Sequence, residues 1–78
     1  MSDLKYEIKK RLGVIGETSN GWKKELNVVS WNDRNPKLDI REWDENHEKM
    51  SKGVTFNIDE TIELKKLIED VDPAELTV

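Results

Sequence analysis

The sequence predicts an α+β domain in which a four-stranded antiparallel sheet is followed by one C-terminal helix (β-β-β-β-α), and three observations predict it. Between residues 5 and 57 apolar side chains recur with period two, the pattern of half-buried strands. Short runs rich in Asn, Asp, Gly and Pro separate these stretches, which is the chemistry of turns. After Asn57 the apolar residues recur at helical spacing instead. Consecutive strands with short connections favour a meander with the helix packed on one face. Seventy-eight residues make one domain at most, placed at 1–72, with 73–78 expected as a loose tail.

The first strand is expected over residues 5–16, KYEIKKRLGVIG. Tyr6, Ile8, Leu12 and Val14 occupy even positions, with Glu7, Lys9 and Arg11 between them. Lys10 interrupts the apolar face, and Gly13 suggests a bulge or bend. Residues 17–21, ETSNG, form a turn in which Asn20-Gly21 can supply positive φ angles. The second strand, roughly 22–32, places Leu26 and Val28 on one face and Lys23, Glu25, Asn27, Val29 and Trp31 on the other. The turn NDRNP leads to a third strand at 37–43, with Pro36 where a missing N–H is tolerated. Leu38 and Ile40 face one way there, and Lys37, Asp39, Arg41 and Trp43 the other.

A polar loop, 44–51, precedes a fourth strand at 52–57, KGVTFN. Its Val54 and Phe56 are expected to join Leu38 and Ile40 in the core. Asn57 and Glu60 have the spacing of a capping box, and Asp59 and Glu60 suit the positive end of a helix dipole. Leu64, Leu67, Ile68 and Val71 then form one apolar stripe. Asp72-Pro73 is expected to end the helix, since a residue before proline disfavours the α region.

Composition narrows the function. The chain has no cysteine, which removes disulfides and thiolate metal sites. Its core must be small, and dimerisation is a common remedy. No apolar run approaches the ~20 residues that crossing a membrane requires, and the N-terminus lacks the apolar stretch of a signal peptide, so the cytoplasm is the default location. Residues 1–41 carry nine Lys/Arg against six Asp/Glu, whereas residues 42–78 carry four against eleven. The overall charge of −4 therefore hides a basic first half. Salt screens charges beyond about 8–10 Å, so a basic face can coexist with net acidity. No catalytic constellation is distinguishable. Ser19 and Ser30 lack partners for nucleophilic chemistry, no Gly-rich phosphate loop is present, and no cofactor is called for. His47, the sole histidine, lies near Asp44, Glu45 and Glu48 in what reads as a solvated loop. A metal site needs ligands in defined geometry, and no such spacing is recognisable.

The sheet face away from the helix is the informative one. By strand parity it carries Lys9, Arg11, Lys23, Lys37 and Arg41 together with Trp31 and Trp43. Cations can meet phosphates while flat rings stack on exposed bases, the two needs of single-stranded nucleic acid. On pattern alone a solvated face competes with this reading, because Lys and Arg commonly keep strand edges soluble.

A resemblance adds weight to the nucleic-acid reading. Leu38-Asp39-Ile40-Arg41-Glu42, then Lys52-Gly53-Val54-Thr55-Phe56-Asn57, then Glu60 and Leu64 to Ile68, resemble the positive cofactor four (transcriptional coactivator) single-stranded-DNA-binding domain. With KELNVVSWN and EKMSKG included, the chain looks especially like the short bacterial members of the YdbC type. The resemblance implies a curved sheet and a helix-mediated homodimer, with Leu64, Leu67, Ile68 and Val71 at the interface. It implies that Arg41 and Lys52 contact DNA, with Trp43 near the family's stacking tryptophan but one residue early. The family's serine- and lysine-rich regulatory arm is absent. The expected function is non-enzymatic, weakly sequence-specific binding of single-stranded DNA or melted duplex. RNA is a close variant. The setting would be transcription regulation or DNA repair and protection, in a bacterial cytoplasm where nucleoid association is open to it. The rival reading is a protein-interaction module that engages transcription or repair proteins through the acidic loop and helix face.

Overall fold

The computed structural model describes residues 5–18 and 20–77; residues 1–4, Ser19 and Val78 lie outside the described residues. Strands β1 (Tyr6–Glu17), β2 (Lys23–Trp31), β3 (Lys37–Trp43) and β4 (Val54–Phe56) form one antiparallel sheet in chain order. Helix α1 (Ile58–Glu69) and a 3-10 turn (Pro73–Leu76) follow.

The three later strands keep the expected faces. Leu26 opposes Ile40, Val28 opposes Leu38, and Val54 and Phe56 extend that row from β4. Glu25 opposes Arg41 and Asn27 opposes Asp39 on the other face. The β2–β3 turn is tight because Asn32 and Asp33 both adopt positive φ, 52° and 61°. Both are residue types that tolerate this region, and the Arg34 N–H closes the turn on the Trp31 carbonyl at 3.0 Å.

β1 departs from simple alternation. Its pairing with β2 shifts between Ile8 and Lys10, between Arg11 and Gly13, and between Val14 and Gly16. Each shift is a bulge that sets two residues against one and adds local twist. The repeat along β1 is therefore three residues, and Ile8, Arg11 and Val14 fall on one face opposite Val29, Asn27 and Glu25. This corrects the even–odd assignment. Leu12 sits in a bulge rather than on an apolar face, and Arg11 shares a face with Tyr6 and Ile8.

The distribution of burial is also inverted. Val29 and Trp43 are the buried apolar residues, and Glu25, Asn27 and Asp39 are buried beside them on the face away from the helix. The expected core residues Leu38, Ile40 and Phe56 are only half-buried, and Val54 is exposed. The cause is coverage: a 12-residue helix that touches β3 and β4 cannot also roof β1 and β2. Within α1 only Thr61 and Leu64 are half-buried.

The capping box forms as the spacing requires. Asn57 Oδ1 accepts the Glu60 N–H at 2.8 Å, and Glu60 Oε1 accepts the Asn57 N–H at 2.9 Å. The helix ends at Glu69, with Asp70 as C-cap, three residues before Pro73. In the segment expected as a tail, Asp72 and Glu75 make a second capping box around a turn that starts at Pro73. Proline suits that position because its missing N–H would have no partner there.

Gly53 brings the chain close beside β3. A Cβ there would lie 2.5 Å from Arg41 Cβ and 2.6 Å from the Ile40 carbonyl oxygen. Gly53→Ala is expected to destabilise the fold by about 1–3 kcal/mol, the range for overpacking. A lower urea midpoint with an unchanged slope would show it, and an unchanged midpoint would mean that the 51–53 segment yields freely.

Candidate nucleic-acid interface

The face that buries Val29 and Trp43 also carries a row of rings. Centroid separations are 5.7 Å from Trp31 to Tyr6, 5.4 Å from Tyr6 to Trp43 and 5.5 Å from Trp43 to His47. A cation stands at each end. The Arg41 guanidinium lies 4.4 Å from the Trp31 ring centroid, and Arg11 Nη1 lies 3.0 Å from His47 Nε2. Tyr6 enters the row through β1, Trp31 through β2 and Trp43 through β3.

Arg41 is held by the buried Asp39. Its Nε and Nη2 donate to the two carboxylate oxygens at 2.8 Å each. Residues two apart on a strand share a face, which makes this pairing possible. The bidentate pair satisfies a carboxylate that would be costly to bury alone, and it fixes the guanidinium plane over Trp31. Asp39 balances the charge of Arg41, so Arg41 presents a flat cationic surface with little net local charge.

Beside this pair lies an open groove of about 330 Å³, lined by Trp31, Arg34, Asn35, Lys37, Arg41 and Thr55. Arg34 and Lys37 are exposed, and among the described residues neither has a carboxylate within ion-pair distance. Sequence reasoning missed Arg34. The Asn32-Asp33 turn, which swings it towards the groove, was its only available signal.

The other expected contact residues scatter. Lys23 opposes Trp43 on this face and is exposed. Lys9 sits in the first bulge of β1 and pairs with Glu7 at 3.2 Å, apart from the row of rings. Lys52 is exposed in the segment leading into β4. Trp43 is fully buried, and its indole N–H has no hydrogen-bond partner among the described residues. The Trp31 N–H is likewise buried and unpartnered, but part of the Trp31 side chain remains accessible.

The 44–50 loop, read as solvated, folds onto the sheet instead. Asp44 Oδ1 accepts the N–H groups of Glu48 and Lys49 at 2.8 and 3.0 Å. The Lys49 N–H is the main cause that holds the Asp44 carboxyl below its ordinary range. His47 adopts φ 58°, its carbonyl accepts the Tyr6 hydroxyl at 3.0 Å, and its Nε2 lies 2.9 Å from Glu25 Oε2. These partners stand 41 and 22 residues away in sequence, which hides the arrangement from local pattern.

The molecule is thus of the class of small α+β domains in which a bulged antiparallel sheet carries cation-capped rings on one face and a C-terminal helix on the other. The chain belongs to the transcriptional coactivator p15 (PC4) family, whose sequence profile matches residues 18–67. It is also similar to an uncharacterized protein of Treponema pallidum (strain Nichols), 39% identical over 69 residues that cover 88% of this chain and 81% of that protein. Family membership implies a single-stranded-DNA-binding domain in a group of generally non-enzymatic proteins. No helix among the described residues is long and apolar enough to cross a membrane.

Proposed function

We propose that this chain is a non-enzymatic, homodimeric binder of single-stranded DNA or melted duplex with low sequence specificity, serving transcription regulation or DNA repair and protection. The observation that carries the reading is the groove beside Trp31. There a part-exposed indole and a fixed guanidinium adjoin two cations that have no carboxylate partner among the described residues. Lys37 and Arg34 meet phosphates, with Lys23, Arg11, Lys52 and Lys9 further along the strand path. A base stacks against the Trp31–Arg41 pair. Trp43 adds a second stacking surface only where the 44–50 loop lifts. Stacking serves any base, so affinity is nearly independent of sequence, and RNA can share the face.

The dimer reading rests on what one chain leaves uncovered. Leu67 and Ile68 are each 57% exposed on the helix whose Leu64 is half-buried, and Val71, just past the helix end rather than on it, is 47% exposed. Ile58 and Ile62, outside the expected stripe, are exposed as well. A second copy covers this surface and completes the core that one helix leaves open.

Tryptophan fluorescence during titration with oligo-dT, with a duplex of equal length alongside, tests the reading. Quenching by the single strand should weaken with salt, by a logarithmic slope of about 0.7 per phosphate contacted. Trp31→Ala is expected to cost about 1–3 kcal/mol of affinity, the range for one stacked base. Full affinity in that variant would remove Trp31 from the site. Silence towards every oligonucleotide at low salt would instead favour a protein-interaction module that uses the acidic 42–48 loop and the helix face, with transcription or repair proteins as partners.

A further inference from the structure

We propose that His47 controls whether Arg11 is bound within the protein or free to meet a DNA phosphate, so that mild acid tightens single-strand binding. The inference rests on the single-strand reading above and assigns a regulator to that site.

The argument starts from one atom. His47 Nε2 lies 3.0 Å from Arg11 Nη1, 2.9 Å from Glu25 Oε2 and 3.1 Å from Glu25 Oε1. A guanidinium can only donate, and an ionised carboxylate can only accept. Nε2 therefore cannot serve both partners. In the neutral ring with its proton on Nδ1, Arg11 donates to the single lone pair of Nε2 and the carboxylate of Glu25 faces the same atom with no proton between them. In the imidazolium, which carries a proton on both nitrogens, Nε2 donates to Glu25 and Arg11 loses its acceptor. Among the described residues Arg11 has no carboxylate within ion-pair distance and no second side-chain acceptor that would retain it.

The surroundings favour the second state once the ring is charged. Glu25 is buried, and among the described residues its carboxylate otherwise receives only the Asn27 Nδ2 at 3.1 Å. An imidazolium supplies the counter-charge it lacks, while like charge repels Arg11. The other groups around His47 do not compete for the ring. Tyr6 from β1 bonds to the His47 carbonyl, Trp43 from β3 is uncharged, and Asp44 is committed to backbone N–H groups of its own loop. Arg11 is exposed, on the same face of the sheet as the ring row. Released, it adds one cation to the strand path.

The chain contains a single histidine, so a change of imidazole charge in this protein has one address. The test compares oligo-dT affinity at about pH 8 and about pH 5.5, at about 0.1 M salt, for the wild type, His47→Gln and Arg11→Ala. One phosphate contact carries a slope of about 0.7, which is about fivefold at that salt concentration. The wild type should tighten by about that factor as pH falls. His47→Gln, whose amide can donate to Glu25 and accept from Arg11 together, should show no gain. Arg11→Ala should bind at both pH values but also show none. An undiminished gain in either variant, or weaker binding in acid, overturns the proposal. A nuclear magnetic resonance titration of the DNA-free protein separates it from the single-strand reading. The Arg11 guanidinium signals should move together with the His47 ring signals in the wild type and stay still in His47→Gln. Guanidinium signals that ignore the ring overturn the inference whether or not DNA binds. Coupled signals without any DNA binding would keep the His47–Arg11 exchange, remove its consequence for DNA and overturn the reading beneath it.

Discussion

Asp39→Ala is expected to lower the unfolding free energy by about 3–5 kcal/mol, the cost of breaking a buried ion pair by removing one partner. Asp39 is fully buried, and both of its oxygens hold Arg41, whose side chain is only 12% exposed. Without the carboxylate the guanidinium must stay buried and unpaired or leave Trp31, so single-strand affinity should fall as well. Asp39→Asn keeps the shape and one acceptor, and should fall between the two. Pairing Asp39→Ala with Arg41→Met removes both charges and should recover much of the stability, because an apolar replacement of a buried pair is often neutral. Chemical denaturation at fixed protein concentration measures all four proteins. A loss below about 1 kcal/mol in Asp39→Ala would place this pair among ordinary surface salt bridges.

The second large effect concerns the helix. Leu67→Asp combined with Ile68→Asp is expected to dissociate the proposed dimer. Burial of one such side chain stabilises by about 1.5–3 kcal/mol, and two-fold symmetry counts each position twice. Scaled to the 57% of each side chain still exposed, the sum is about 3–7 kcal/mol per dimer, or about two to five powers of ten in the dissociation constant. Sedimentation equilibrium should show the wild type as a dimer at micromolar concentration and the double variant as a monomer of reduced stability. A wild type that sediments as a monomer, or a variant that stays dimeric, would direct attention to another surface for completing the core.

How far the sequence could be read depended on where the controlling contacts lie. Faces of β2, β3 and β4 followed from alternation, because each strand pairs in register with its neighbour and nothing shifts the parity. The capping box was legible because Asn57 and Glu60 act on each other three residues apart. β1 was not, because each bulge answers to the twist of the pair and only Gly13 hinted at one. Burial of Glu25, Asn27 and Asp39 ran against residue type. Their partners are tertiary in the case of His47, and the Asp39–Arg41 pair becomes visible only once the strand is known to be covered. Of the residues that line the groove, Arg41, Trp31 and Lys37 were already on the expected face by strand parity. Arg34 and His47 needed the turn and the loop that carry them.

The three-residue rhythm of β1 also bears on how this chain can change in length. Losing one residue from β2 or β3 would move every side chain beyond it to the opposite face of the sheet. β1 holds three surplus positions, Lys9, Leu12 and Ile15, one at each register shift. Losing one of them turns a bulge into regular pairing and leaves both faces as they were. The first strand can therefore shorten, one residue at a time, without disturbing what its neighbours present, and a lineage with this fold has room to vary the reach of its first hairpin while the ring row beside it stays in place.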